Sequence, residues 1–193
     1  MQLGSEDLIN YEKKQAINQP VEVRNSRNDN RPEWTSRPVY EQDNAMHYTG
    51  AFMQGSDYSV SLRAANAEAL KSLVQDIGLS IRTEFSMYAK GSNIIDNGID
   101  RYIVDGIATL SHNSHLQGAR LSESYYEEFI DPLSSGRPFY NVWVKLEISK
   151  SDYLRAKSYA LKRLKDDFHS AGQVEAKQKA QLLLDELKAD AQW

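Results

Sequence analysis

The segment Phe139–Ser149, FYNVWVKLEIS, alternates without a break. Tyr140, Val142, Val144, Leu146 and Ile148 fall on one face, and Phe139, Asn141, Trp143, Lys145 and Glu147 fall on the other. A strand patterned in this way belongs to an antiparallel sheet with one face packed and the other partly open to water. The rest of the fold must supply neighbours for that strand and a cover for its aliphatic face.

The cover is legible upstream. In SLRAANAEALKSLVQDIGLSIRTEF, Leu62, Ala65, Ala69, Leu73, Ile77, Ile81 and Phe85 recur every three or four residues, which predicts one helix over 61–85. Ala64, Ala65, Ala67 and Ala69 suit close approach to a sheet, and Ser59 or Ser61 is the expected cap. AMHYTGAF, 45–52, reads as the first strand, with Met46, Tyr48, Gly50 and Phe52 alternating against His47, Thr49 and Ala51. MYAKGSNIIDNG reads as a loop, and 99–115 as a second helix with Ile99, Ile103, Ile107 and Leu110 on one side. LQGARLSESYYEEF reads as a strand that places Ala119, Leu121, Glu123 and Tyr125 on a common face, and IDPLSSGRP joins it to Phe139–Ser149.

Beyond Ile148 the chain is helical. Ser149 or Ser151 can cap, and Asp152 suits the positive end of the helix dipole. Tyr153, Ala160, Leu161, Leu164 and Phe168 make one face, Gly172 is a hinge, and Ala176, Ala180, Leu183, Leu184 and Leu187 make a second face with no evident partner. The order strand, helix, helix, strand, strand, helix implies an α+β fold. Its expected form is a three-stranded antiparallel sheet packed by helices, with an extended N-terminal tail and a C-terminal helical extension. The corresponding division is 1–30 as a flexible tail, 31–156 as the α+β domain and 157–193 as the extension.

Asn, Arg and Asp crowd residues 18–30, which predicts an extended or disordered path. A short helix is possible before it, around Leu8, Ile9, Tyr11 and Ile17. RPEWTSRP then places Trp34 between Pro32 and Pro38, each of which stiffens its neighbour toward extended geometry. Burying a large apolar side chain gains about 1.5–3 kcal/mol, enough to pin a few residues to a domain. Trp34 is therefore the expected anchor of the entry segment. Trp143 and Phe139 lie on the open face, where that segment or another chain can cover them. Trp34, Phe139, Trp143, Leu183 and Leu187 are the candidate interaction residues.

Chemistry leaves few marks. The net charge is −4, the pI 5.6, and no basic block occurs, which argues against nucleic acid as a partner. Cysteine is absent, which removes disulfides, thiolate nucleophiles and thiolate metal sites. No apolar run reaches the roughly 20 residues of a membrane helix, and the first residues lack the basic and apolar regions of a secretory signal. His112 and His115 form HxxH, but with Glu123, Glu127 and Glu128 they match no zinc spacing. No GxSxG, phosphate-binding loop or GxGxxG is present, and Asp96, Asp100, Asp105 and Glu123 show no pairing that marks an acid or base. The expectation is a protein that is not an enzyme, with no catalytic, cofactor or metal site.

RPEW ahead of a strand ending in YTGAF, then SLRAANAEALKSLVQDI, LQGARLSESYY and FYNVWVKLEISKSDYLRA follow in an order that resembles the Lpp-twenty family of bacterial envelope lipoproteins, with FlgP- and FlgT-like relatives. The resemblance covers Arg31 to Ala156 and rests on Arg31, Pro32, Trp34, Gly50, Ala65, Ala69, Gly118, Tyr140, Val142 and Val144. It implies a non-enzymatic structural or assembly protein of the cell envelope, in the periplasm or at the outer membrane. It implies self-association into a homo-oligomer, with envelope or flagellar motor proteins as further partners and a place in a basal-body ring or disc. Membrane association would come through an N-terminal lipid anchor, whose Cys this sequence lacks. The alternative is a soluble α+β ligand- or metal-binding domain using the region His112 to Glu128. A third reading makes Gln173–Trp193 a helical segment that docks on a partner while the rest of the fold stands without it.

Overall fold

The computed structural model describes residues 19–27, 30–88, 116, 118–133 and 136–190. The short helix expected near the N-terminus, most of the MYAKGSNIIDNG loop, and the helix expected over 99–115 with His112 and His115 lie outside the described residues.

The fold is α+β, as expected, but the sheet has five strands rather than three. The strands are β1 (Val21–Asn25), β2 (Val39–Gln42), β3 (Ala45–Gly55), β4 (Arg120–Ile130) and β5 (Pro138–Ser149). They lie in the order β1-β4-β5-β3-β2, every pair antiparallel. The two unexpected strands are the edges. β1 falls inside the segment read as tail, and nearly all of its residues are exposed, so no buried face marks it in the sequence. Backbone pairing with β4 and an Arg24–Glu128 ion pair hold it instead. β2 is joined to β3 by a two-residue turn in which Asp43 and Asn44 have φ of 51° and 60°, the geometry that gives a tight hairpin the correct twist.

β5 faces as its alternation requires: Val142, Val144, Leu146 and Ile148 are buried in the main core. β4 departs from simple alternation. A bulge between Leu121 and Glu123 puts Leu121 opposite the inward Leu146, while Glu123 and Tyr125 oppose the outward Lys145 and Trp143. The expected common face of Leu121, Glu123 and Tyr125 is therefore split, because the extra residue resets the two-residue period.

Helix α1 (Tyr58–Tyr88) covers β3 and β5 with the predicted stripe, Ala65, Ala69, Leu73, Ile77, Ile81 and Phe85 all being buried. Its cap is not a serine. Asp57 Oδ1 accepts from the Val60 N–H at 2.8 Å, while the Ser61 hydroxyl donates to the Asp57 carbonyl at 2.6 Å. Close packing is achieved at Gly50, where a Cβ would sit 2.0 Å from the Ala65 carbonyl oxygen and 2.6 Å from the Ala69 nitrogen.

Helix α2 (Lys150–Ser170) starts from Ser149, whose hydroxyl oxygen accepts from the Asp152 N–H at 3.1 Å. It ends in a turn through Gly172, φ 70°, that reverses the chain into α3 (Val174–Asp190). The expected C-terminal extension is thus part of the fold. Ala176, Ala180, Leu183, Leu184 and Leu187 share one core with Leu161, Leu164, Phe168 and the α1 stripe. The apolar face that had no evident partner in the sequence is covered by the core that α1 and α2 also line.

Candidate functional site

The outer face of the sheet, opposite the helices, carries the RPEW segment. Pro32 and Pro38 bracket a 3-10 turn, Glu33–Ser36, closed by Thr35 N–H to the Pro32 carbonyl at 3.1 Å and Arg37 N–H to the Trp34 carbonyl at 3.0 Å. The turn lowers Trp34 onto Trp143 and Tyr125, leaving the three 8%, 5% and 1% exposed. β3 holds the segment from beneath: Thr49 N–H donates to the Pro38 carbonyl at 2.8 Å, and its hydroxyl donates to the Arg37 carbonyl at 2.7 Å.

Charges complete the contact. Arg31 meets Glu127 through two parallel bonds of 2.8 Å, and its guanidinium lies 4.4 Å from the centre of the Trp143 ring. Forked pairing of this kind is both stronger and more directional than a single ion pair. The Trp34 indole N–H donates to Glu123 at 3.1 Å, and Glu123 also pairs with Lys145 and Arg27. Partial burial pushes the Glu123 carboxyl up, but Lys145 and Arg27 outweigh it and hold the group below its ordinary value.

Every candidate interaction residue has a place in this architecture. Trp34 and Trp143 face each other within the chain, and Leu183 and Leu187 are 2% and 9% exposed inside the helical core. Phe139 is half-buried and stacks on Phe129 with ring centres 5.3 Å apart. The carboxylates of the alternative, metal-binding reading are committed elsewhere: Glu123 to Lys145 and Arg27, Glu127 to Arg31, Glu128 to Arg24. Among the described residues no group of three or more potential ligands is placed to hold a metal.

Two further polar features escaped the sequence analysis. Between α1 and α2, Asp76 accepts from the Tyr48 hydroxyl at 2.8 Å and the Tyr153 hydroxyl at 3.0 Å, and Lys157 donates to Ser80 at 2.8 Å and pairs with Glu84. Burial first, and Asp76 second, push both phenols above their ordinary value, so they remain hydrogen-bond donors across the physiological range. Asp76, Ser80 and Glu84 recur every four residues on α1, as Tyr153 and Lys157 do on α2. That spacing was the available signal for a polar seam. The second feature is a groove of about 740 Å³ between the first turns of α2 and the last turns of α3. One wall comes from 150–162 on α2 and the other from Leu187 and Lys188 on α3, so the sequence of either helix alone does not announce it. Among the described residues no helix is long and apolar enough to cross a membrane.

Comparison with protein-family models, with curated proteins and with solved structures returns no match.

Proposed function

We propose that this chain is a non-enzymatic structural and assembly module of the cell envelope, of the kind its resemblance to the Lpp-twenty lipoproteins implies, and that it works by self-association. The carrying observation is what the residues of that resemblance do. Arg31 and Trp34 clamp the outer face, Gly50 admits Ala65 and Ala69, and Val142 and Val144 fill the core. Gly118, φ 96°, makes room for Asp152 at the start of α2. Tyr140 sits half-buried against Tyr58 and Tyr126. The pattern is a specification for a rigid scaffold, which suits a component that is counted into an assembly. The finer reading places the module on the periplasmic side of the outer membrane, in a ring or disc of the flagellar basal body.

The test is the mass of the chain by light scattering across a wide concentration range. A closed oligomer of constant mass is the expected result. A monomer at every concentration would remove self-association from the proposal.

A further inference from the structure

The groove at the open end of the α2–α3 hairpin is lined by charge of one sign. Lys150, Arg155, Lys162 and Lys188 line it, and no carboxylate does, in a protein whose net charge is −4. Its inner wall is apolar: Leu187 belongs to the core, and Leu154 and Tyr159 pack against that core. At about 740 Å³ it falls in the range of sites that hold small organic ligands, roughly 300–1,000 Å³.

The cations at the rim are poorly committed. Lys150 reaches Glu41 at 3.1 Å and Lys188 reaches Asp185 at 3.2 Å, each pair about half exposed on both sides. Arg155 pairs with Asp152 one turn back on its own helix, and Lys162 makes no ion pair among the described residues. Exposed pairs of this sort contribute little and exchange readily for a better anion. The seryl hydroxyls of Ser151 and Ser158 add donors beside them.

We propose that this groove binds a small amphipathic anion, with a phosphate or carboxylate head held by Arg155 and Lys162 and an apolar body laid on Leu154, Tyr159 and Leu187. The complementarity runs both ways. An inorganic anion leaves the apolar wall wet, and a neutral amphiphile offers the cationic rim nothing beyond its weak exposed pairs. The proposal stands apart from the assembly reading, since Arg155, Lys162, Leu154, Tyr159 and Leu187 lie on α2 and α3 and not on the sheet edges or its outer face.

Isothermal titration of the full chain with monodecyl phosphate, kept below its micelle concentration, tests it. One saturable site is expected, weakening as salt is raised. The double variant Arg155→Glu with Lys162→Glu should lose at least about tenfold in affinity, since it removes two charge-assisted donors and puts repelling charge in their place. Both positions are on the surface side of α2, so its thermal midpoint should match that of the unmodified chain. Inorganic phosphate alone, and a neutral decyl glycoside, should each bind at least tenfold more weakly. Absence of a saturable site, equal binding by the double variant when it melts normally, or equal binding of either control would overturn the proposal. A monomeric chain that binds monodecyl phosphate would leave it intact while removing the assembly reading.

Discussion

Gly50 is where a single atom decides the fit of helix on sheet. A methyl group there meets the backbone of Ala65 and Ala69, which cannot swing aside as a side chain would. Overpacking of this kind costs about 1–3 kcal/mol and more where backbone must move. Gly50→Ala is therefore expected to lose about 3 kcal/mol, read from urea unfolding midpoints. Trp34→Ala removes the anchor of the outer face and strands Glu123 without one of its donors. An expected loss of about 3 kcal/mol follows from the usual cost of aromatic truncation. The ionisation of Glu123 adds a pH signature. Its folded pKa lies below the ordinary 4.5, so its contribution is fully present above that value and is lost as pH falls through the lower, folded one. Stability should thus decline with acid below about pH 4.5 more steeply in the unmodified chain than in Glu123→Gln; parallel profiles would show that Glu123 adds nothing. Trp34 was legible as an anchor because its two prolines are adjacent in sequence. Its charged neighbours were not, since Glu123, which accepts from the indole 89 residues away, and Lys145, over the ring, each look like any surface ion.

Elements with their own buried face were recognised, though the bulge in β4 reset its facing, and those without one were missed. β5 and α1 display periods of two and of three to four that survive any tertiary context. β1 and β2 bury little, so they are strands only by virtue of the neighbour that pairs them. The α2–α3 hairpin fails differently: both apolar stripes were visible, but periodicity does not say which stripe meets which. This changes what removal of α3 must do. Ending the chain at Ala171 strips cover from Leu161, Leu164 and Phe168 and removes Leu183, Leu184 and Leu187. Burial of each leucine is worth about 1.5–3 kcal/mol. Three of them approach the whole stability of an ordinary domain, about 5–15 kcal/mol. The truncated chain should show no cooperative thermal transition by circular dichroism. A sharp transition near that of the full chain would mean that α3 is dispensable, as the docking-segment reading requires.

At the scale of the whole molecule, the sheet has two ends, and the proposed self-association would have to choose between them. Among the described residues β1 and β2 each pair on one side only, and Val21, Val23 and Val39 along them are exposed. Unpaired edges are the usual route by which sheets join. If like edges meet, two copies close about a two-fold axis and growth stops at a dimer; if β1 of one copy meets β2 of the next, the contact is head-to-tail and closes only as a ring. A ring or disc component needs the second arrangement. A lysine on either edge, Val23→Lys or Val39→Lys, should then block assembly alone. The two variants are complementary, however: the first keeps a working β2 edge and the second a working β1 edge. Mixed one to one, they are expected to form a dimer of one copy of each and nothing larger, seen as a single mass step in light scattering. Under like-edge pairing one of the two variants would instead keep the full oligomeric mass by itself, and the mixture would show no new species. The mixing experiment therefore separates a ring-building contact from a simple two-fold one without a structure of the assembly.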